Sequence, residues 1–332
     1  MTFIKTALVI SLFVAAGCGD DTSGGGPADL AVAPADLAAG APSKLTLPGS
    51  SYYPESLHAA ADGSLFVGSL ATGTIVRFAP GATTPTTFVA GGDGDGGTPK
   101  GIAGVFADGA TSTLWACAVD FAEMPYYTEV RAFDLASGAA KATYQFPAPA
   151  FCNDFAVDGA GNLYISDSYG SVYELAHGTA TLTQWSADPL LRASVATGFG
   201  ADGIVFDASG PALLVSVFND GRLVRIPVNS DGSAGGAAAI AVTPPLHTPD
   251  GMRLVDATTL IAADGAAGQL VELTLAGTSA SASVLAGGLD GPTSVVQIGD
   301  RYYVSEGQIG HFTGQLSGPP SLPFDVRVLP LP

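Results

Sequence analysis

The stretch FCNDFAVDGAGNLYISDSYGSVYEL, residues 151–175, reads as three short apolar runs divided by two turns. Phe155-Ala156-Val157 is the first run, Leu163-Tyr164-Ile165 the second and Val172-Tyr173-Glu174-Leu175 the third. Between them lie Asp158-Gly159-Ala160-Gly161-Asn162 and Asp167-Ser168-Tyr169-Gly170. Gly, Asn and Asp tolerate the backbone angles of tight turns. Runs this short, bounded by such clusters, predict antiparallel strands joined by hairpins. A polar pair, Asn153-Asp154, stands just before the first strand.

The same pattern recurs from Tyr53 (YPESLHAAADGSLFVGSL), Gly200 (GADGIVFDASGPALLVSV), Pro249 (PDGMRLVDATTLIAADG) and Gly291 (GPTSVVQIGDRYYVSEG). Aligned, these copies put Glu55, Asn153, Asp202, Asp250 and Thr293 at one position, with gaps of 98, 49, 48 and 43 residues. The first gap is twice 49, so a further copy starts near residue 101, in KGIAGVFADGATSTLWACAVD. Six repeats of about four strands each predict an all-β, six-bladed β-propeller with four-stranded antiparallel blades. The domain spans residues 44–332. Only 13% of residues are charged, and there are 44 glycines and 23 prolines, which suits short strands buried on both faces and joined tightly. Leu45-Thr46-Leu47 is expected to pair with a last strand over residues 324–329, closing the ring so that no sheet edge stays open.

Residues 1–17 read as an export signal. Lys5 gives a positive start, and the apolar segment from Ala7 to Ala16 is too short to span a bilayer. It runs into Ala15-Ala16-Gly17-Cys18, which resembles the lipobox of bacterial lipoproteins. That resemblance implies cleavage before Cys18, lipidation of Cys18 and a place in the bacterial cell envelope, with the lipid as the only membrane contact. Residues 18–43 are rich in Asp, Gly, Ala and Pro and repeat PADLA, a composition that cannot bury a core and predicts a tether. Cleavage would remove Lys5 and no acid, making the net charge of −18 one unit more negative. With no basic cluster, nucleic acid is set aside as a partner, and the chain is expected to be a monomer. Cys117 and Cys152 fall in neighbouring repeats, and export permits a disulfide between them; two buried thiols are the other reading.

In a propeller the first strand of each repeat lines the central channel. Glu55, Asn153, Asp202 and Asp250 are therefore expected to converge at one mouth. Three carboxylates there repel one another unless a cation lies between them. Oxygen-only ligands favour calcium first, with magnesium, manganese or zinc as other choices. Tyr126-Tyr127, Asp167-Ser168-Tyr169, Phe218-Asn219-Asp220 and Asp264 fall on loops expected to form the rim, and Tyr126 and Asp167 are candidate substrate contacts. An aromatic, acidic rim suits a neutral, polyol-like small molecule. His58 is expected to pack between blades and His247 to lie on a solvated loop. Gly92-Asp93-Gly94-Asp95-Gly96-Gly97 resembles half a calcium loop without the later acids, and reads as a connection between blades.

These residues resemble the regucalcin, gluconolactonase and luciferin-regenerating-enzyme group of six-bladed propellers. The resemblance rests on Pro54-Glu55-Ser56, Asn153-Asp154, Asp202-Gly203 and Pro249-Asp250-Gly251-Met252. It implies that Glu55, Asp202 and Asp250 hold a divalent metal and that Asn153 lies beside the substrate. It departs at Asp202, where the family carries Asn; Asp keeps the oxygen and adds a negative charge. The implied activity is hydrolysis of a lactone, with Asp250 as general base. A non-catalytic lipoprotein with a structural cation, and a scaffold with no metal, remain the other readings.

Overall fold

The computed structural model describes residues 42–92, 100–122 and 124–332. The export signal, Cys18, nearly all of the tether and most of the Asp-Gly run at 92–97 lie outside these residues.

The short strand β1 (Lys44–Thr46) comes first. One sheet holds β2 (Pro54–Ala59), β3 (Leu65–Ser69), β4 (Ile75–Phe78) and β5 (Thr86–Val89). The next holds β6 (Gly101–Asp108), β7 (Thr113–Asp120), β8 (Tyr127–Asp134) and β9 (Ala140–Gln145). A third holds β10 (Cys152–Val157), β11 (Leu163–Asp167), β12 (Ser171–Leu175) and β13 (Thr183–Ser186). Then come β14 (Ala201–Asp207), β15 (Ala212–Val217), β16 (Arg222–Pro227) and β17 (Ala238–Thr243), followed by β18 (Pro249–Leu254), β19 (Thr259–Asp264), β20 (Gln269–Ala276) and β21 (Ser279–Ala286). The last sheet joins β22 (Pro292–Ile298), β23 (Arg301–Glu306) and β24 (Asp325–Pro330) to β1. A one-turn helix, α1 (Ile309–Thr313), interrupts the loop from β23 to β24. Among the described residues no helix is long and apolar enough to cross a membrane.

The strands within each repeat run in sequence order and antiparallel, as the hairpin pattern predicts. The expectation of separate four-stranded sheets fails at one place. β14–β21 hydrogen-bond as a single eight-stranded sheet, because Ala241–Thr243 of β17 pairs in parallel with Ser279–Ser281 of β21. Two outermost strands long enough to meet share their free edges, which removes two exposed edges at once.

The first strands of successive repeats touch in order, β2 to β6, β10, β14, β18 and β22, and β22 touches β2 again. The ring is closed by β1, whose Leu45 stands opposite Val326 of β24, with Leu47 N–H donating to Phe324 O at 2.9 Å. The core is divided into layers between neighbouring sheets. Leu57, Val67, Val296 and Phe324 fill one layer; Phe66, Ile75, Ile102 and Leu114 fill the next. A further layer, Val205, Leu214, Met252 and Leu260, lies between the two halves of the eight-stranded sheet. Burial on both faces explains why β15, Ala212–Val217, is a nearly unbroken apolar run.

Candidate functional site

Every first strand is irregular at the same point. Register jumps between Pro54 and Ser56, Ile102 and Gly104, Cys152 and Phe155, Ala201 and Ile204, Pro249 and Met252, and Pro292 and Ser294. The residues inside these jumps include Glu55, Ala103, Asn153, Asp202, Asp250 and Thr293. A bulge re-aims a side chain out of the ladder, and bulges gather beside functional sites. The aligned anchor positions thus coincide with a shared backbone device. Ala103 is the equivalent residue of the second repeat, which carries no polar mark in the sequence. Gly104 is needed beside it: a Cβ there would lie 1.9 Å from Asn153 O.

Glu55, Asn153, Asp202 and Asp250 are all buried. The Asn153 amide Nδ2 donates to Asp202 Oδ2 at 3.0 Å and to Ser168 Oγ at 3.3 Å. Gly251 N–H donates to Asp250 Oδ1 at 2.9 Å. Asp202 Oδ1 is buried and receives no hydrogen bond. Burial pushes the Glu55 carboxyl well above its usual range, and the charges of Asp202 and Asp154 add to it. Burial also raises Asp250, reinforced by Asp202 and Glu55. Asp202 is raised chiefly by burial, with Asp154 contributing. The carboxyls of Asp202 and Asp250 act on each other electrostatically, the Asp202 charge adding to the rise of Asp250.

A second layer was not read from the sequence. Arg253 Nη1 reaches Asp154 Oδ2 at 2.7 Å and Nη2 reaches Asp154 Oδ1 at 3.4 Å, joining β18 to β10 past the intervening β14. This pair sets an ion-paired fourth carboxylate beside the cluster. The only signals available were the Asp after Asn153 and the Arg after Pro249-Asp250-Gly251-Met252, 99 residues apart. His58 Nδ1 accepts from Ala107 N–H at 3.1 Å and its ring lies 4.4 Å from Phe106, so it packs between the first two sheets. Burial and the nearby Arg253 charge keep it well below the ordinary imidazole range, hence neutral.

The rim differs from its sequence reading. Asp167 is 2% exposed, and its Oδ1 accepts from Phe151 N–H at 2.8 Å and Tyr169 N–H at 3.0 Å. Asp264 accepts from His247 N–H at 3.0 Å and Thr248 N–H at 2.8 Å. Both carboxylates brace loops, because a buried backbone N–H at a loop needs an acceptor. His247 is exposed and its Nδ1 lies 3.1 Å from Asp264. Tyr126 is half-buried among aromatic rings, 5.1 Å from Phe121 and 6.0 Å from Phe151. Cys117 of β7 and Cys152 of β10 are joined as a disulfide, Cα to Cα 5.4 Å, one residue before Asn153.

Among the described residues, no group of three or more His, Cys, Asp or Glu side chains is arranged to hold a metal ion. Glu55, Asp202 and Asp250 share an electrostatic neighbourhood without closing into a cage. The donor chemistry nonetheless fits a hard cation. The set is all oxygen, one buried carboxylate oxygen lacks any donor, and the Asp202 charge raises the proton affinity of both Glu55 and Asp250.

No protein-family model matches the sequence, and no curated protein does. Solved structures do match in three dimensions. Mala s 1, the major allergen of Malassezia sympodialis, matches with TM-score 0.67 and 14% identity, over 87% of this chain and 96% of its own. A luciferin-regenerating enzyme matches with TM-score 0.59 and 13% identity, over 85% and 93%. Virginiamycin B lyase from Staphylococcus aureus matches with TM-score 0.57 and 9% identity, over 87% and 98%.

The fold is an all-β propeller. At these identities the likeness is one of architecture, with four-stranded antiparallel sheets set around a ring, and function has to be argued from the site.

Proposed function

We propose that the ring is a six-bladed propeller, the eight-stranded sheet being two blades with joined outer strands, and that it is a divalent-metal-dependent hydrolase opening a lactone or similar ester. An apolar layer between the two halves of that sheet, and a join only three residues long, support the blade count. The observation that carries the function is the buried, mutually repelling set Glu55, Asp202 and Asp250 at equivalent bulges, with Asp202 Oδ1 unpartnered. Two of the structural neighbours are named as enzymes, which supports a catalytic reading of the mouth.

Glu55, Asp202 and Asp250 would hold the ion, and oxygen ligands favour calcium over magnesium, manganese or zinc. When bound, such an ion polarises a ring carbonyl and acidifies water. Asp250 is the general base. Its Oδ1 accepts from Gly251 N–H, which orients the carboxyl. Asn153, within hydrogen-bonding reach of Asp202, orients the substrate, and Tyr126 lines the approach. Activity should rise with pH, because the base must be ionised. The test is a lactone panel run with calcium and with chelator. Calcium should also raise the melting temperature, by about 2.7 kcal/mol of stability at a hundredfold excess over its Kd. Asp250→Ala should abolish both effects. If chelator changes neither turnover nor melting, the reading is wrong.

A second reading is a non-catalytic binding lipoprotein with a structural cation, favoured by the burial of all three carboxylates. Calcium-dependent melting without turnover on the panel would select it. Both readings include an anchor at Cys18 in the bacterial envelope, motivated by Ala15-Ala16-Gly17-Cys18. Cys18→Ser should move the protein from the membrane fraction to the soluble one; an unchanged distribution counts against the anchor.

A further inference from the structure

Six aromatic rings form a continuous arc at the end of the strands that carries the carboxylates. Tyr53 lies 5.4 Å from Phe312, Phe312 5.5 Å from Phe121, Phe121 5.1 Å from Tyr126, Tyr126 6.0 Å from Phe151, and Phe151 5.0 Å from Phe199. These separations fall in the range of favourable ring pairs, so the arc holds itself together. Its position follows from the chain. Tyr53 is two residues before Glu55, Phe151 two before Asn153, and Phe199 three before Asp202. Phe121 and Tyr126 come from the loop after β7, and Phe312 from α1 after β23. In this topology second strands end where first strands begin, so all six rings come to the mouth.

The mouth is therefore divided. Acidic anchors come from β2, β14 and β18, while β6 contributes Ala103. The arc lies on the side of Ala103, which belongs to the same apolar cluster as Phe151 with Tyr53, Phe121, Tyr126 and Phe312 packed against it. All of the rings except Phe151 keep a partly exposed surface. Beyond them lie exposed apolar side chains, Met124 on the loop after β7, Tyr127 at the start of β8, and Leu316 and Leu322 after α1. Apart from the hydroxyls of Tyr53 and Tyr126, polar capacity on this side is small. Tyr126 N–H already donates to the Tyr169 hydroxyl at 3.0 Å, and Asp167 is committed to backbone N–H groups.

We propose that the mouth selects uncharged lactones or esters with an apolar body, whose reacting carbonyl faces the carboxylate cluster while the body lies on the aromatic arc. This rests on the hydrolase reading and adds the substrate class. A polyhydroxylated body would leave water for a wall that returns few hydrogen bonds, a loss that an apolar body does not suffer. An anionic body would meet the acidic mouth and a chain of net charge −18. The reacting group reaches the carboxylates only past rings within three residues of them, so body and reaction centre are read together.

The test uses the full chain and two arms. With calcium supplied, a medium-chain γ-alkyl lactone and an aryl-fused lactone should exceed a sugar-acid lactone in kcat/KM by roughly tenfold or more. In the second arm, a non-hydrolysable γ-alkyl lactam is titrated calorimetrically without metal, against a polyhydroxylated lactam. The alkyl lactam should bind at least roughly tenfold more tightly. Phe121→Ala and Phe312→Ala should each shrink both preferences several-fold, with Phe312→Leu as a milder variant if melting shows that Phe312→Ala is unfolded. Val255→Ser, on an exposed apolar residue in the turn after β18, at the far end of the ring, should leave them intact. No turnover together with preferential alkyl-lactam binding keeps the aromatic subsite and discards the hydrolase. Equal or better handling of the hydroxylated compounds in both arms, or indifference to the ring variants, overturns the inference.

Discussion

Asp202 Oδ1 is a buried carboxylate oxygen with no donor, beside two further buried carboxyls. The chain carries Asp at a position where the family it resembles has Asn. On the proposed metal reading, Asp202→Asn removes one negative charge and should bind calcium about tenfold more weakly, roughly 1.4 kcal/mol, while raising the melting temperature of the metal-free protein by relieving repulsion. Isothermal titration and calorimetry read the two effects, and unaltered affinity would show that the Asp202 charge does not face the ion. Asp167 gives a pH signature of a different kind. Burial raises it from 3.8 to about 6. The folded protein thus holds this proton more tightly than the unfolded chain. Its contribution to stability is fully present below about pH 4 and is lost as pH rises through about 6, amounting to about 3 kcal/mol. Asp167→Asn keeps an oxygen for Phe151 and Tyr169 N–H and should flatten that part of the stability–pH curve, measured by urea melts of chelated protein from pH 4 to 7. An identical slope in the variant would mean that other groups carry the dependence.

At the scale of a strand, the bulges turn a row of aligned residues into a convergent set. A regular ladder would alternate neighbouring side chains between the two faces of a sheet. The register jump in each first strand breaks that alternation at the anchor. Close approach of β6 to β10 is part of this device. Gly104 allows it, since a Cβ would meet the Asn153 carbonyl at 1.9 Å and Cys117 Sγ at 3.3 Å. Gly104→Ala must push the two strands apart, and should lower stability by roughly 1–3 kcal/mol. On the proposed metal reading it should also weaken calcium binding, because the displaced strand carries Asn153, whose amide holds the ligand Asp202 at 3.0 Å. A variant with unchanged denaturant midpoint and calcium affinity would show that the strands yield without consequence.

For the whole molecule, closure depends on three hydrogen-bonded residues at the start of the described chain. β1 pairs with β24, Lys44 Nζ bonds Asp325 Oδ2 at 2.6 Å, and Leu45 and Leu47 are buried in the layer that also holds Phe324 and Val326. Two buried leucines are worth roughly 3–6 kcal/mol of apolar burial, and their removal also exposes β24 as an edge. A chain with residues 44–47 deleted should melt at clearly lower temperature and associate through that edge, visible as concentration-dependent light scattering. Unchanged light scattering and an unchanged melting temperature would mean that the ring closes without β1.

Strands and their order were legible because alternation and turn residues are local properties, repeated at a period near 49. The same spacing named Glu55, Asn153, Asp202 and Asp250 as equivalent, since equivalence along a repeat needs no knowledge of contacts. Ala103 was not legible as their counterpart, because an apolar residue leaves no mark at a polar position. The Arg253–Asp154 pair, the bracing role of Asp167, the arc of rings from five segments of chain and the joining of β17 to β21 depend on closure of the ring. That closure brings together residues whose separation in sequence carries no signal, and there burial, through the loss of water as a partner, decides which polar atoms pair, which hold a proton, and which are left for a ligand.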